Sequence, residues 1–462
     1  MERMYPDINI NLLKRFDKPA PRYTSYPTAP VFSSTYTDKQ FEIDLIRNND
    51  ENRNPLSLYV HLPFCDTLCY FCGCTTVITS RRERLSDYLA VLKREIARTS
   101  YYINRNRRVT QIHWGGGTPS YLTPEEIRDL SNFIAERFVV SPDVEHSVEI
   151  DPRGLTYEHL SAFRESGFNR ISIGVQDFDQ RVQSAVNREQ PKEVTLQAMQ
   201  WAKDLGFLGV NVDLIYGLPL QTLESFQHTL DEVASLSPER IAVFNFAYVP
   251  RIKPHQKLIH SEDLPSPEVK LQMLKATIET LTHGGYEYIG MDHFAKPNDD
   301  LSTAQRQKTL HRNFQGYSTL AGSDLFGFGM SAVSHFGTVY AQNMKTLPAY
   351  YERVRNDRFA TQVGYRMNRD DIIRKHIIMQ IMCNLEVDTD AIEHRFDLRF
   401  DEYFEEGLKQ LHEFEQLGLA LRTPGKISVV GTGRFLLRNI AMCFDAYLLK
   451  LQETQPVFSR AL

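Results

Sequence analysis

Six short apolar segments separated by helical stretches constrain the fold of this chain more than any other feature. They begin near Leu56 and end before residue 289. The segments are residues 58–62, 109–114, 147–150, 170–175, 209–215 and 240–246. Helical patterns fill the gaps, for example at residues 85–98 and 124–137. Strands that alternate with helices indicate repeated βα units with a parallel sheet, and six such units predict an open TIM-like barrel of the α/β class.

Four cysteines directly follow the first of these strands. Residues 57–74 read SLYVHLPFCDTLCYFCGC, with the spacing Cys65-x3-Cys69-x2-Cys72-x-Cys74. Thiols so closely spaced cannot all pair as disulfides without strain, but a loop can wrap three of them around a metal. Structural zinc usually takes two cysteine or histidine pairs separated by a longer loop, and the sequence has no second such pair downstream. Short cysteine spacings hold iron–sulfur clusters, which favours a [4Fe–4S] cluster over zinc, with one iron open to a small molecule.

The aromatic Phe71 just before the third cysteine completes a pattern that resembles the radical S-adenosylmethionine (SAM) superfamily. This resemblance implies a (β/α)6 partial barrel in which SAM chelates the open iron. The additional Cys74 resembles the oxygen-independent coproporphyrinogen III oxidase family, where the extra cysteine is not a cluster ligand. The expected metal ligands are therefore Cys65, Cys69 and Cys72, and Cys74 is an expected catalytic residue.

Other motifs of the same family extend the resemblance over nearly the whole chain. They are PRYTSYPTA, HWGGGTPSYL, VQDF, NREQ, DLIYGLP, MDHFA and RNIAMCFD. The resemblance implies oxidative decarboxylation of two propionates of coproporphyrinogen III to vinyl groups, giving protoporphyrinogen IX through a 5′-deoxyadenosyl radical from SAM. A haem-binding chaperone on the same scaffold is the main alternative, although such relatives generally lack both the extra cysteine and the PRYTSYPT arm.

Residues at the carboxyl ends of the predicted strands are expected to carry function. The turn after the second strand reads GGGTP, and its glycines let backbone groups approach a ligand closely. It lacks the lysine of a nucleotide P-loop. Glu149, Gln176 and Asp213 lie at or near the ends of the next three strands, where a carboxylate is costly to bury unless something binds it. The alternative is that each of them caps a neighbouring helix.

The family resemblance divides these residues between two SAM sites. The first is expected to contain Tyr59, Gly116, Glu149, Ala247 and Val333. The second is expected to contain Phe71, Gly117, Thr118, Gln176, Arg188 and Asp213. Val333 stands where the best-known members have isoleucine, and an apolar contact to adenine tolerates that exchange. By composition alone, Arg188 could equally be a surface arginine.

Two further residues are expected to take part in catalysis. Side chains alternate along a strand, so His61 and Tyr59 share one face of the first strand. Arg22 lies in the proline-rich segment 19–30, which cannot form a regular helix and predicts an extended arm over the body. An arginine suits bidentate binding of a carboxylate, but a purely structural arm is equally compatible with the sequence.

Residues 286–337 are dense in glycine and aromatic residues without clean periodicity, which predicts a cover over the site. Candidate contacts to the macrocycle are His293, Arg312, Asn313 and Gln315. Satisfied hydrogen bonds within the loop are the alternative.

The last part of the chain, from about residue 361, changes to a helical pattern. An apolar stripe consists of Ile373, Ile377, Ile381 and Leu385. A helix, a hairpin at Pro424-Gly425 and a second helix resemble a winged helix, predicting a mainly helical C-terminal domain. The expected divisions are an arm and lead-in helix at 1–50, a catalytic domain at 51–355 and the C-terminal domain at 356–462. Cys383 and Cys443 are expected in the core.

Composition limits the partners and the compartment. The chain has 462 residues and a formal net charge of −5, without a block of like charges, so a zinc-dependent DNA-binding protein is disfavoured. No N-terminal pattern resembles a signal peptide and no apolar run approaches the ~20 residues that span a bilayer. These features predict a cytoplasmic protein without membrane or nucleic-acid partners. A monomer is expected, and the family resemblance implies an unidentified reducing electron donor.

Overall fold

The computed structural model describes residues 8–448 and 458. Its strands are β1 (Leu56–Leu62), β2 (Phe64–Cys65), β3 (Val77–Ile78), β4 (Arg108–Gly116), β5 (Val139–Ile150), β6 (Arg170–Gln176), β7 (Gly209–Tyr216), β8 (Arg240–Asn245), β9 (Glu287–Gly290), β10 (His293–Ala295), β11 (His311–Asn313), β12 (Gly316–Ser318), β13 (Asp324–Phe328), β14 (Val333–Phe336), β15 (Val339–Asn343), β16 (Thr361–Arg366), β17 (Glu386–Asp388), β18 (Ala420–Thr423) and β19 (Lys426–Val429). Its α-helices are α1 (Ile10–Phe16), α2 (Asp38–Glu51), α3 (Arg82–Tyr102), α4 (Pro124–Ala135), α5 (Tyr157–Glu165), α6 (Gln180–Ala185), α7 (Lys192–Asp204), α8 (Leu223–Leu236), α9 (Pro267–His283), α10 (Asp300–Arg306), α11 (Leu347–Arg355), α12 (Arg369–Asn384), α13 (Thr389–Phe396), α14 (Phe400–Tyr403), α15 (Glu405–Gln416) and α16 (Leu437–Met442). Short 3₁₀ helices lie at Ala29–Val31, Pro119–Tyr121, Pro254–Leu258, Ser261–Asp263 and Gly431–Leu436. Within these described residues, no helix combines the length and apolar content needed to cross a bilayer.

A parallel sheet forms the centre of the molecule. The described residues form a twelve-stranded sheet in the order β16, β15, β14, β13, β1, β4, β5, β6, β7, β8, β10 and β9. The run from β13 to β8 is parallel throughout. The six strands predicted from the sequence are β1 and β4 to β8, so the predicted order of barrel strands is confirmed. The carboxyl ends of these parallel strands meet at one end of the barrel, as the βα rule requires.

Apolar burial explains why these segments form strands. Every residue of β1 except Tyr59 is buried, consistent with a parallel strand covered on both faces. Strand β5 begins at Val139, earlier than the predicted start at residue 147. Its first seven residues mix valines with Ser141, Pro142, Asp143 and Glu145 and are all at least partly exposed, so no continuous apolar run marks them in the sequence.

Local signals also set the helix boundaries. Helix α4 begins at Pro124, and the Thr123 hydroxyl accepts a hydrogen bond from the backbone of Glu126, whose carboxylate accepts one in return from the Thr123 N–H. This reciprocal capping starts the helix that leads from β4 back to β5. Helix α12 ends at Asn384, and Leu385 follows in a left-handed conformation with φ of 60°. The predicted apolar stripe therefore extends one residue, Leu385, beyond the end of the helix.

The large sheet continues beyond the barrel on both sides. Strands β14, β15 and β16 extend it from β13 as antiparallel neighbours. Strand β16 lies at Thr361–Arg366, so the sheet reaches past the predicted domain boundary at residue 355. The three predicted divisions of the chain stay a prediction.

A small mixed module follows α12. Strands β17, β18 and β19 form an antiparallel sheet beside α13 to α15. The predicted hairpin is confirmed, because β18 and β19 are joined at Pro424-Gly425 and Gly425 has a φ of 75°. Both Cys383 and Cys443 are buried, as expected of core residues.

The N-terminal segment runs over the body without regular helix between residues 17 and 28. The Tyr23 hydroxyl donates a hydrogen bond to Asp445 at 2.9 Å, and the Tyr26 hydroxyl accepts one from the Ala446 N–H at 3.0 Å. The buried guanidinium of Arg438 donates to the Pro21 carbonyl at 2.9 Å. The predicted arm is thus held by residues near the other end of the chain.

Candidate active site

The cysteine loop lies between β2 and β3, against the far side of the barrel mouth. The Tyr70 N–H donates to the Val186 carbonyl at 2.9 Å, and the Asn187 side chain donates to the Leu68 carbonyl at 2.8 Å. Phe71 packs on an apolar cluster that includes Val186. The loop after α6 therefore sets the path of the cysteine loop.

A second segment holds the same loop from the other side. Lys253 donates to the Cys74 carbonyl at 2.8 Å, and the His255 imidazole lies 2.8 Å from the Cys72 carbonyl. Gln256 donates to the Phe71 carbonyl at 3.2 Å. The sequence analysis missed these residues. Their one available signal was position, because they follow β8 at the carboxyl end of the barrel, where function is expected.

Two guanidinium groups approach the sulfur of Cys69. Arg153 lies 3.5 Å and Arg188 lies 3.6 Å from its Sγ atom. Asp151 accepts from both arginines, at 2.7 Å and 3.0 Å. Burial alone would raise the pKa of Asp151, but the nearby Arg188 and Arg153 outweigh burial and lower it. Arg188 is therefore a buried residue rather than a surface arginine, and Arg153, which the sequence analysis missed, shares its position.

The thiols differ in their surroundings. Burial raises the pKa of Cys65 to about 12. A hydrogen bond with Cys74 lowers the pKa of Cys72 to about 6 and raises that of Cys74. Cys74 is exposed, whereas Cys69 is buried. No three His, Cys, Asp or Glu side chains within residues 8–448 and 458 are arranged to hold a metal ion, so the cysteines share a loop without forming a finished ligand set.

The donor chemistry of this loop nevertheless fits a cubane cluster. Thiolates on a short loop are the usual protein ligands of iron–sulfur clusters, and N–H donors beside the sulfur atoms tune their reduction potential. The guanidinium groups of Arg153 and Arg188 supply such donors beside Cys69. They also supply positive charge next to what would become an anionic cluster.

The glycine turn after β4 packs directly on the chain that leads into the cysteines. The Gly117 N–H donates to the Leu62 carbonyl at 2.9 Å. A Cβ atom on Gly117 would lie 2.5 Å from the Phe64 carbonyl oxygen, and one on Gly116 would lie 2.8 Å from the His61 ring. Gly116 also has a φ of 121°, which side-chain-bearing residues rarely adopt. These glycines are needed for close packing. The sequence analysis predicted a turn here but not the close contact with the neighbouring chain.

An aromatic and acidic network lines the barrel interior beside this turn. The Tyr59 hydroxyl lies 3.0 Å from His61 Nδ1, and His61 Nε2 lies 3.0 Å from the Thr75 carbonyl. A carbonyl only accepts, so Nε2 carries the proton and Nδ1 accepts from Tyr59. Burial lowers the pKa of His61, which is consistent with this neutral form.

Glu149 faces the same interior space. Its carboxylate lies 3.2 Å from His113 Nε2 and accepts from the Gly116 N–H at 3.2 Å. Burial tends to raise the pKa of Glu149, but the His113 and Gly116 hydrogen bonds outweigh it and hold the pKa below its ordinary value. The carboxylate therefore stays ionised, and its recorded partners are these barrel groups rather than a helix cap.

The remaining residues of the predicted second SAM site also lie inside the barrel. Asp213 accepts from the Ser172 hydroxyl at 2.9 Å and from the Asn211 amide at 2.8 Å. Burial raises the pKa of Asp213 to about 6. Gln176 ends β6 with a φ of 70°, and its side chain lies beside Gly174, whose carbonyl accepts from Arg188 at 2.7 Å.

Thr118 ties the glycine turn to the end of β5. Its hydroxyl oxygen accepts from the Asp151 N–H at 3.0 Å. The turn and the Asp151 carboxylate that holds two guanidinium groups are therefore one connected structure.

The two outermost residues of the predicted first SAM site lie on different sides of the barrel. Ala247 is exposed after β8, and its carbonyl accepts from Gln256 at 3.2 Å. The Val333 backbone packs on Gly327, where a Cβ atom would lie 2.6 Å from the Val333 carbonyl oxygen. Gly327 pairs with Tyr59 in the sheet. Gly327 thus separates Val333 from Tyr59 in the sheet, and Ala247 neighbours the segment that holds the cysteine loop.

A cavity of about 350 Å³ opens beside Ala247, and Arg22 lines it. The Arg22 guanidinium forms an ion pair with Asp292, and its carbonyl accepts from Arg312 at 3.2 Å. The charge of Arg22, and that of other cations nearby, lowers the pKa of Asp292 against the opposing effect of burial. The expected catalytic arginine therefore reaches a cavity, but it does so as half of an ion pair.

A second cavity, of about 190 Å³, occupies the barrel interior. Its walls include Glu149, Asp213, His293 and Gln315. Arg312 is buried beside Arg22, whereas the Asn313 side chain accepts from the Gln315 N–H at 2.8 Å. Asn313, one of the residues expected to contact the macrocycle, thus forms a hydrogen bond within its own loop. This is the alternative role considered for it in the sequence analysis.

Two family models match the chain. The Radical SAM superfamily model covers residues 59–233, and the HemN C-terminal domain model covers residues 367–436. The first contains the cysteine loop, the glycine turn and the strand ends described above. The second contains the small mixed module.

Curated relatives match over the full length. The oxygen-independent coproporphyrinogen III oxidase of Escherichia coli (strain K12) is 45% identical, covering 99% of both chains. That of Synechocystis is 44% identical over 100% of both chains. A solved structure, "Coproporphyrinogen III oxidase (HemN) from Escherichia coli is a Radical SAM enzyme", has a TM-score of 0.91 at 45% identity, covering 96% of this chain and 100% of that one.

We predict that Gly117→Ala weakens SAM binding by roughly tenfold or more. The new Cβ would overlap the backbone of Pro63 and Phe64, and overpacking typically costs about 1–3 kcal/mol. Equilibrium dialysis with labelled SAM measures the affinity. Gly73→Ala is the matched control, because a Cβ at Gly73 in the cysteine loop would meet nothing within 4 Å. Equal SAM affinity of the two variants would refute the close-packing role of Gly117.

Proposed function

The chain belongs to the oxygen-independent coproporphyrinogen III oxidase family of radical SAM enzymes, and on this premise we propose how its residues divide the work of the reaction. The reaction is the oxidative decarboxylation of two propionates of coproporphyrinogen III to vinyl groups, giving protoporphyrinogen IX. Full-length identity of 41–45% to several members supports this function rather than a haem-binding chaperone. The proposed roles rest mainly on one observation, that the side chains concerned are grouped at the carboxyl ends of β1 and β4 to β7.

The proposed cluster ligands are Cys65, Cys69 and Cys72. Their common loop and the two guanidinium groups at Cys69 support this assignment. Cys74 is assigned a role other than ligation, since it is exposed and its carbonyl is held by Lys253. When bound, the cluster and SAM supply a 5′-deoxyadenosyl radical, which takes a hydrogen atom from the β-carbon of a propionate.

The first SAM is assigned to the barrel mouth, between the β14 side that carries Val333 and the β8 side that carries Ala247. Its proposed contacts are Tyr59, Gly116, Glu149, Ala247 and Val333. An ionised Glu149, kept so by His113 and the Gly116 N–H, suits the ammonium group of SAM. His61 holds its proton on Nε2 and keeps the Tyr59 hydroxyl oriented through Nδ1.

A second SAM is assigned to the neighbouring strand ends. Its proposed contacts are Phe71, Gly117, Thr118, Gln176, Arg188 and Asp213. Burial of Asp213 beside Ser172 and Asn211 supports this site, because its carboxylate can accept hydrogen bonds from ribose hydroxyls and burial makes it easier to protonate than an ordinary aspartate.

The arm residue Arg22 is assigned to a substrate carboxylate. It lines the 350 Å³ cavity, where the arm and residues near the C-terminus reduce access of water to the site. When a propionate binds, the Arg22 guanidinium would either leave Asp292 or bind both carboxylates at once. A reducing electron donor, a monomeric state and a cytoplasmic location complete the proposal.

We predict that Cys65→Ala, Cys69→Ala and Cys72→Ala each abolish the cluster, because three thiolates are the minimum set on this loop. Iron and sulfide content and the visible spectrum after anaerobic reconstitution measure it. Cys383→Ala, a buried cysteine far along the chain, is the control and should keep full iron content. Cys74→Ala should keep the iron but lose turnover. Loss of iron from the Cys74 variant would make that residue a ligand instead.

We predict that the reconstituted protein binds two SAM molecules and that Asp213→Asn binds only one. The Asn side chain cannot ionise and would change the hydrogen bonding with Ser172 and Asn211. Anaerobic equilibrium dialysis counts the bound SAM. Glu402→Gln, on the exposed acidic face of α14, serves as the control. A count of one for the unmodified protein would refute the second site.

The activity itself is tested by anaerobic incubation of the reduced, reconstituted protein with SAM and coproporphyrinogen III. We expect CO2, 5′-deoxyadenosine and protoporphyrinogen IX to form together when an electron acceptor is present, because each vinyl group requires one hydrogen abstraction, loss of one CO2 and loss of one further electron. Tight haem binding with untouched porphyrinogen would support the chaperone alternative instead.

A further inference from the structure

Two basic side chains touch each other on the face of the sheet next to Val333. Lys375 of α12 donates from Nζ to His335 Nε2 of β14, at 2.7 Å. Lysine is rarely buried without an acidic partner. In the part of the chain that the structure describes, no Asp or Glu oxygen forms an ion pair with Lys375, and burial alone lowers its pKa, to about 7.

A third basic group faces the same position from another element. His311 of β11 lies close enough to Lys375 for the lysine to oppose its protonation. Burial first, and Lys375 second, lower the pKa of His311 to about 4. Three separate elements therefore bring one amino group and two imidazoles together, and we name Lys375, His335 and His311 the basic cluster.

An aromatic wall stands beside the basic cluster. The His335 ring stacks on Tyr340 with centroids 4.4 Å apart, and Lys375 Nζ lies 5.0 Å from the Tyr340 ring centroid. Phe32 also stacks on Tyr340, with ring centroids 5.4 Å apart, and the Phe314 ring packs edge to face on Tyr340 with centroids 6.1 Å apart. Tyr340 is itself buried between these rings, whereas Lys375, His335 and His311 are only half-buried. Tyr340 therefore supports the basic cluster, and an anionic ligand group would meet the cluster itself.

The position of the basic cluster places it beside the proposed active site. Val333 packs in the same apolar group as Phe32 and Tyr340. The Tyr26 backbone of the arm forms a hydrogen bond with the Tyr340 side chain. The arm, a residue of the proposed first SAM site and the aromatic wall are thus in contact.

We propose that the basic cluster binds a propionate carboxylate of the tetrapyrrole substrate, with Lys375 as the principal donor. This inference rests on the proposed function, which supplies a ligand with four carboxylates. A carboxylate would provide the acidic partner that Lys375 lacks, and a charge-assisted hydrogen bond is roughly twice as strong as a neutral one. The carboxylate of SAM shares this chemistry, so the test separates the two sources.

The test compares Lys375→Met, which removes the charge, with Lys375→Arg, which keeps it. Anaerobic equilibrium dialysis measures binding of coproporphyrinogen III, with the porphyrin quantified after oxidation, and binding of SAM in parallel. We expect Lys375→Met to weaken coproporphyrinogen III binding by about tenfold or more, and Lys375→Arg to retain most of it. Iron content and SAM affinity should not change. Lys375→Gln provides a second neutral variant should the methionine protein fail to fold.

The control is Lys409→Met, an exposed lysine paired with Glu405 and Glu406 on α15, which should bind like the unmodified protein. Unchanged coproporphyrinogen III binding by both neutral variants would overturn the inference. An equal loss of SAM affinity would assign the anion to SAM and overturn it as well. An unmodified protein that neither binds nor decarboxylates coproporphyrinogen III would instead refute the proposed function.

Discussion

The carboxylate of Asp151 holds two guanidinium groups against the sulfur of Cys69, and the geometry of the site depends on this interaction. Its N–H also binds the Thr118 hydroxyl, so one residue after β5 connects the glycine turn, the Arg188 loop and the cysteine loop. Removing one partner of a buried ion pair typically costs about 3–5 kcal/mol, because the other charge stays buried. The ion pairs therefore hold Arg153 and Arg188 in place beside Cys69, in addition to the hydrogen bonds that hold the backbone of the cysteine loop.

The barrel interior contains two carboxyl groups whose surroundings shift their pKa values in opposite directions. Glu149 stays ionised because His113 and the Gly116 N–H favour its charged form, whereas Asp213 is pushed toward neutrality by burial. Two carboxyl groups with opposite shifts in one cavity can accept from an ammonium group and donate to a hydroxyl. A core built only for stability would contain neither, since apolar side chains of similar volume would be at least as stable.

The features that could be predicted from the sequence are those that depend on residues close together in the chain. Apolar runs marked the six barrel strands, and the GGGTP turn and the cysteine spacing marked the loops at their ends. The sequence did not predict the partners that hold those loops. His255 contacts the Cys72 carbonyl across 183 residues of chain, and Arg153 reaches Cys69 across 84. Such pairs depend on the final curvature of the barrel, and a polar residue in a loop looks the same whether it meets water or a cysteine loop.

The two ends of the chain complete the site together. Tyr23 binds Asp445 and Tyr26 binds Ala446, more than 400 residues away, so the position of the arm depends on residues near the other end of the chain. Contacts of such separation carry the full cost of loop closure before they contribute stability. The same arm places Arg22 at one cavity and touches Tyr340 beside Lys375 at another position. The arm therefore contacts both positions for which we propose carboxylate binding, through Arg22 within it and through Tyr340 beside Lys375.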